Sequence, residues 1–161
     1  MPTGLKQSSS VVSIGFQALE SAANTFVQTS VDLNLSPLDR EVFVVLAVNL
    51  DTFTPDAVAG VDTRVNSSVS TTSQTAVTDI NNSNCLAAHA NLIKAAGFID
   101  SGVGFTTGAI ETPPATLEYI GIIATNDFFV QCLGNGRMWG YRARADASIY
   151  AALVQSEVLS A

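Results

Sequence analysis

The residues from Phe26 to Leu35 alternate between apolar and polar side chains over most of their length. Val27, Val31, Leu33 and Leu35 fall on one side of the alternation, and the polar residues at positions 28, 30, 32 and 34 fall on the other. Successive side chains of an extended strand point to opposite faces. The pattern therefore predicts a strand that is buried on one face.

A second alternating segment runs from Arg40 to Asp51. Every even position from 42 to 50 is Val or Leu, whereas the odd positions are mixed in character. This pattern predicts a central strand with one apolar face and a partly covered second face. Further strands are predicted over 62–75, with hydroxyls on its exposed face, and over 117–124, 128–133, 137–145 and 149–154. The turn at residues 134–136 is predicted to join two of these strands as a hairpin.

One segment favours a helix, at about 84–97. Asn84 is of a type that caps helix N-termini, and Gly97 is of a type that ends helices. Leu86, Ala90 and Ile93 recur between them at helical spacing. The Gly- and Pro-rich segment 98–114 is expected to be an irregular surface loop.

These elements predict an all-β fold, either a single antiparallel β-barrel or a jelly-roll sandwich, with one short helix. We expect an N-terminal arm or short helix over residues 1–25 and a β-barrel domain over 26–161. Within the arm, residues 13–26 fit either a helix or an extended segment. Residues 1–12 are expected to become ordered only against neighbouring copies, because they bury little apolar surface.

The chain has few charged residues for its length. Charged residues make up 13% of the sequence, against about a quarter in a typical soluble domain. Neutral hydroxyl and amide groups cost less to desolvate than charged groups, so this composition favours contact with other copies. The net charge of −7 argues against direct binding of a nucleic-acid backbone. No apolar run reaches the roughly 20 residues of a membrane span, although the protein can still lie close to a membrane.

The residues that most often carry catalysis are scattered. His89 is the only histidine, and it lies among alanines with no nucleophile pattern nearby. It is expected on a helix surface. Cys85 and Cys132 lack the spacing of a zinc site and are predicted to be buried free thiols, with a single disulfide as the alternative. The sequence thus predicts no catalytic residue, no cofactor and no enzymatic activity.

Three acidic residues flank a Thr-containing loop. Asp51, Asp56 and Asp62 carry oxygen ligands of the kind that calcium prefers, but their spacing does not match the twelve-residue calcium-binding loop. We interpret them as solvated loop residues, with calcium binding as the open alternative.

The predicted strand 137–145 concentrates residue types that are enriched in protein contacts. Arg137, Trp139 and Tyr141 share one face of the strand, and Arg142 and Arg144 share the other. We predict that these five residues contribute to a subunit interface. The alternative is an ordinary core Trp with arginines paired to nearby acids.

Three segments carry a resemblance to a known family: the Ser/Thr-rich strand at 61–75, the segment 118–130, read as paired strands, and the segment 137–142. With a polar N-terminal arm and one short helix, this pattern resembles the small single jelly-roll capsid proteins of virus particles. The resemblance implies a self-assembling shell subunit of a virion, assembled as trimers or higher rings. Arms that contact the genome are usually basic, whereas residues 1–25 hold one Lys and one Glu.

The expected partners are copies of the same chain and other virion proteins. A tail-tube or head-decoration subunit belongs to the same class. Two other functions stay open. One is a subunit of a cellular surface filament or surface layer, located outside the cell, in which an N-terminal segment completes a neighbour's sheet. The other is a small-ligand or sugar-binding β-sandwich with loop 98–114 as its rim.

Overall fold

A computed structural model describes residues 3–19, 25–53, 55, 61–94, 105–110, 119–132 and 134–160. Within these ranges the chain forms ten strands and one helix. The strands are β1 (Leu5–Gln7), β2 (Val12–Phe16), β3 (Gln28–Asp32), β4 (Glu41–Asp51), β5 (Thr63–Ser70), β6 (Cys85–Lys94), β7 (Phe105–Ile110), β8 (Gly121–Ile123), β9 (Asp127–Gln131) and β10 (Asn135–Ala145), and the helix is α1 (Ala147–Ser160).

The strands form two antiparallel sheets that pack against each other. Sheet A has the order β1–β10–β4–β8, and β2 also pairs with β10. Sheet B has the order β3–β9–β5–β6–β7. The chain passes from one sheet to the other at most connections, which is the order of a jelly roll with β7 added beside β6. The predicted all-β jelly-roll sandwich is confirmed.

The inner faces of the sheets enclose the main apolar cluster. Val45 and Met138 of sheet A and Val69 of sheet B are fully buried in it. The rings of Phe16 and Phe128 meet edge to face there, with centroids 5.5 Å apart. The predicted inward residues of the first alternating segment also contribute to this cluster, which confirms that prediction: Val27, Val31, Leu33 and Leu35.

Helix α1 packs against part of the outer face of sheet A. The apolar residues of α1 that make this contact are Ile149, Tyr150, Leu153 and Val154. They cover a second cluster formed by Leu5, Val42, Val44, Ala124, Tyr141, Ala143 and Ala145. The strand predicted over 149–154 is therefore wrong. Apolar residues at these spacings line one side of a helix, and sheet A provides the apolar surface that this side needs.

Strand β4 contains a bulge. Trp139 of β10 pairs with Ala47, and the next residue, Gly140, pairs with Val45. Leu46 therefore has no partner on β10. One extra residue in a strand inverts the alternation beyond it.

The bulge redistributes the apolar face predicted for β4. Val42 and Val44 belong to the cluster beneath α1, together with Leu46, whereas Val48 and Leu50 pack in the cluster between the sheets. The prediction that all even positions share one face is wrong beyond Leu46. As a result, β4 contributes apolar side chains to both clusters.

The helix predicted over 84–97 is also wrong, because β6 occupies most of that segment. This strand pairs with β5 on one side and with β7 on the other. Asn84 lies in a turn, where its backbone N–H donates to the side chain of Asn82 at 2.9 Å. A short run of Ala and Leu residues fits the apolar period of a helix and that of a strand, so pairing with the neighbouring strands determines which one forms.

The connection from β9 to β10 passes between the sheets, so the predicted hairpin at Gly134-Asn135-Gly136 is wrong. Strand β9 pairs with β3 and β5, whereas β10 pairs with strands of sheet A. Cys132 has a φ of 50°, and its N–H donates to the carbonyl oxygen of Val27 at 2.9 Å. Strand β8 pairs with β4, so the segment 118–130 does not hold two paired strands.

The N-terminal residues run along β10 of the same chain. Strand β1 pairs with the last residues of β10, and β2 pairs with its first half. The helical alternative is therefore wrong for residues 13–16, which are extended. The expectation that residues 1–12 find partners only on neighbouring copies is wrong for β1. The domain boundary at residue 25 stays a prediction.

The hydroxyl face of β5 was expected to be exposed, but most of it is buried. Ser68 and Ser70 are fully buried, as is Gln131 of β9. The Gln131 amide donates to Ser70 Oγ at 2.8 Å and accepts from Ser68 Oγ at 2.7 Å. The loop after β5 covers this network, because Thr78 N–H donates to Ser68 Oγ at 3.0 Å.

Candidate subunit-contact surface

Arg137 and Trp139 lie on the outer face of sheet A. Their neighbour Met138 points into the core between the sheets, so the alternation of β10 directs these two side chains away from it. Trp139 pairs with Ser13 of β2 and with Ala47 of β4. These small neighbours leave space around the half-buried indole.

The part of the outer face around Trp139 forms an open groove of about 780 Å³. It is lined by Gly15, Phe16, Gln17, Asn49, Leu50, Asp51, Asn135, Gly136, Arg137 and Trp139. Helix α1 packs over the other part of this face, around Tyr141 and Ala143. The groove therefore lies beside the part of sheet A that α1 covers.

Two polar side chains of the groove have no partner in the described part of the chain. The side chains of Asn49 and Asp51 are exposed and make no hydrogen bond or ion pair there. The Arg137 guanidinium donates to Ser13 Oγ at 3.0 Å, and the amide of Gln17 donates to Asn135 Oδ1 at 3.1 Å. A ligand or partner at this surface can therefore contact an aromatic ring, one cation, one anion and neutral amides.

The other predicted interface residues have different surroundings. Tyr141 is 6% exposed and packs in the cluster beneath α1. Arg142 forms a salt bridge of 2.9 Å with Glu41. This pairing agrees with the alternative interpretation of the strand, in which the arginines pair with nearby acids. Arg144 is exposed near the end of β10. The structure thus brings Arg137 and Trp139 together and separates them from Arg142 and Arg144. An interface role for the five residues stays a prediction.

One end of the sandwich carries exposed apolar side chains that the sequence did not assign to a contact surface. The exposed fractions are 48% for Leu19, 38% for Phe26, 53% for Phe53 and 53% for Val61. They lie on the β2–β3 and β4–β5 connections. The ring of Phe53 packs so closely over Gly134 that a Cβ there would lie 2.9 Å from it. Phe53 stands alone in a Thr-containing loop and carries no periodic signal, which is why sequence reasoning missed it.

His89 lies in a strand, so the expected helix-surface position is wrong. It pairs with Ser67 of β5, and its Nδ1 atom is buried without a hydrogen-bond partner among the described residues. A smaller cavity of about 120 Å³ lies beside it and is lined in part by Arg64, Thr78 and Asp79. The described residues place no nucleophile in hydrogen-bond contact with the imidazole.

Cys85 and Cys132 are free thiols and are half-buried. Burial raises the pKa of the Cys85 thiol. The sulfur of Cys132 accepts a hydrogen bond from Val27 N–H at 3.5 Å. The predicted free thiols are therefore present, and neither is fully buried.

Two sequence predictions fall partly outside the described residues. Asp51 ends β4 and Asp62 precedes β5, whereas Asp56 is not described. In the described ranges, no group of three or more His, Cys, Asp or Glu side chains could hold a metal ion. Of the expected loop 98–114, residues 105–110 form strand β7, and the rest is not described.

No helix in the described part of the chain is long and apolar enough to cross a membrane. Comparison of the chain with protein-family models, curated proteins and solved structures gave no significant match.

Proposed function

We propose that this chain is a non-catalytic structural subunit that assembles with copies of itself into the shell of a virion. The main observation in support of this proposal is the groove around Trp139. Part of the outer face of sheet A is covered by α1, and the adjoining part presents a half-buried indole and Arg137 without such a cover. Trp and Arg are the residue types that contribute most to protein contacts when buried.

The apolar end of the sandwich supports the same proposal. Phe53 and Val61 are each 53% exposed. The backbone at Phe53 is held against β6, because Asn91 Nδ2 donates to the carbonyl oxygens of Thr52 at 2.9 Å and of Phe53 at 3.3 Å. Apolar side chains held at one end of a domain favour burial against another molecule. The sparse charge of the chain lowers the cost of that burial.

The jelly-roll strand order is compatible with a subunit of a virion shell. Double-sheet jelly rolls occur in viral capsid and lectin domains and in cupins. The order alone does not choose among them, because one fold hosts many functions. Self-association is the property that separates the shell subunit from a monomeric binding domain.

The test is to express the full chain and to measure its solution mass over a range of concentrations, with negative-stain microscopy of the same samples. Closed shells of uniform size are the expected result. Filaments or flat layers would favour the cellular surface polymer. A chain that stays monomeric at its highest soluble concentration would contradict both assemblies.

A second candidate function is sugar binding at the same groove. Trp139 offers an aromatic face, and Asn49 and Asp51 offer unpaired polar groups beside it, a combination that suits a hydroxyl-rich ligand. Trp139 is the only tryptophan, so its fluorescence reports on this groove alone. A saturable change on titration with neutral oligosaccharides, weakened by Asn49→Ala, would support this function. If no oligosaccharide changes the fluorescence, sugar binding is contradicted and the shell subunit is the proposal that remains.

A further inference from the structure

One corner of sheet A concentrates positive charge in an acidic chain. Lys6 of β1 lies directly opposite Arg144 of β10. Arg40 stands beside them, because its carbonyl oxygen accepts a hydrogen bond from Ala145 N–H at 3.0 Å. We call Lys6, Arg40 and Arg144 the basic corner. All three residues are exposed, and they are three of the seven bases of a chain with a net charge of −7.

The basic corner has no side-chain partner in the part of the chain that the structure describes. Among the described residues, none of its three side chains makes a hydrogen bond or an ion pair. Glu41 lies opposite Arg144 on β4, but its carboxylate is bound by Arg142 at 2.9 Å. Like charges placed directly opposite across two strands destabilise a sheet. An anionic group from outside the chain would remove this cost.

Sheet B carries the opposite arrangement, which we call the acidic pair. Asp32 of β3 lies directly opposite Asp127 of β9. Asn126 Nδ2 donates to both carboxylates, at 2.7 Å and 3.0 Å, and Asn34 N–H donates to Asp32 at 2.7 Å. These donors are neutral, and in the described part of the chain no cation forms an ion pair with either carboxylate.

The acidic pair and the basic corner belong to the same end of the sandwich. Arg142, two residues before Arg144, donates to the carbonyl oxygens of Leu33 and Asn34. These residues directly follow Asp32 in the chain. One end of the molecule thus presents two like-charge pairs of opposite sign, neither of which forms an ion pair among the described residues.

We infer that the basic corner of one copy contacts the acidic pair of a second copy. The inference rests on the proposed self-assembly for its partner. A surface that carries both signs is complementary to itself, and in a contact with twofold symmetry each copy supplies both halves. Such complementarity selects which surfaces meet and in which register. Three unpartnered bases on a chain of net charge −7 favour this partner over a nucleic acid.

Charge reversal tests the inference. The variant Lys6→Glu with Arg144→Glu makes the corner acidic, and the variant Asp32→Lys with Asp127→Lys makes the pair basic. Each is expected to lower the assembled fraction at least tenfold at low salt. The variant with all four substitutions restores the complementarity, so it is expected to recover assembly. Arg64→Glu, which reverses an exposed base on β5, is the matched control for Lys6→Glu and is expected to assemble normally.

A milder variant guards against misfolding, because Asp32 also accepts a hydrogen bond from Asn34. Asp32→Asn with Asp127→Asn keeps the shape of both side chains. It is expected to keep the wild-type melting temperature and to assemble more weakly than the wild type. Unchanged assembly of this folded variant would overturn the inference.

The outcomes separate this inference from the proposed function. If the wild-type chain never assembles, the proposed function fails and the contact fails with it. If the wild type assembles and the reversals change nothing, or the four-substitution variant stays defective while folded, the contact alone is wrong. If Lys6→Glu with Arg144→Glu abolishes retention of a single-stranded RNA oligonucleotide but leaves assembly unchanged, the corner binds nucleic acid instead of a second copy.

Discussion

At the residue scale, Trp139 and Tyr141 lie two positions apart on the same face of β10 but have different surroundings. Trp139 lines the open groove, whereas Tyr141 packs beneath α1 and is 6% exposed. We predict that Trp139→Ala lowers the free energy of unfolding by only about 1 kcal/mol and abolishes assembly. Tyr141→Ala, the matched control, is expected to cost about 3–5 kcal/mol because it opens a cavity.

Urea unfolding of the monomer, followed by circular dichroism, and the assembled fraction by sedimentation measure these two effects. The interface role of Trp139 is wrong if Trp139→Ala destabilises the fold as much as Tyr141→Ala while the folded chains still assemble normally.

Gln131 is a second residue whose environment could not be read from the sequence. Its side chain is fully buried and donates to Gln28 Oε1 at 2.9 Å and to Ser70 Oγ at 2.8 Å. We predict that Gln131→Leu lowers the free energy of unfolding by about 1–3 kcal/mol, because buried hydroxyl and amide groups lose their partners. Ser73→Ala, which removes an exposed hydroxyl bonded to Gln28, is expected to change it little. Similar urea midpoints for both variants would contradict this.

At the element scale, the bulge in β4 depends on a close approach at Gly140. A Cβ there would lie 2.3 Å from the carbonyl oxygen of Val44 and 2.5 Å from the ring of Phe43. We predict that Gly140→Ala costs at least about 2 kcal/mol, because backbone and ring must both move. Gly15→Ala is the control, since its Cβ would have its nearest contact at 3.9 Å from the guanidinium of Arg137. Equal thermal stability of the two variants would contradict the predicted cost of the close approach at Gly140.

Helix α1 also shows how an element is decided by its surroundings. The residues Ile149, Tyr150, Leu153 and Val154 suit a strand or a helix when taken alone. The apolar surface of sheet A outside the main core selects the helix, because a helix can present all four to one surface. Asp146, directly before it, is a residue type that favours helix starts.

At the scale of the whole molecule, the N-terminal residues take part in the fold of the isolated chain. Leu5 packs in the cluster beneath α1, and Ser8 N–H donates to the carbonyl oxygen of Arg142 at 2.9 Å. We predict that the Ser8 amide exchanges more slowly in the monomer than the amide of Leu38, which lies in a turn and is 95% exposed. Removal of residues 1–10 is expected to lower the melting temperature of the monomer.

Hydrogen exchange at concentrations below assembly measures this protection. Fast exchange at Ser8 in the monomer, with protection only in the assembled form, would instead support an arm that neighbouring copies order.

The sequence alone determined the all-β class, strand β3 with its inward residues, and the approximate positions of β4, β5, β8, β9 and β10. The environment of Val27 and Val31, for example, follows from alternation along a single strand, which is a local property of the sequence. The strand β6, the helix α1 and the reversal of faces beyond Leu46 depended on tertiary structure. Each depends on a partner distant in sequence, since β6 is held between β5 and β7, α1 covers sheet A, and the bulge of β4 lies against Gly140 of β10. The same reason explains why Arg137 and Trp139 were predicted together with Tyr141. The three residues share one face of β10, and only the position of α1 shows that Tyr141 is covered whereas Arg137 and Trp139 are not.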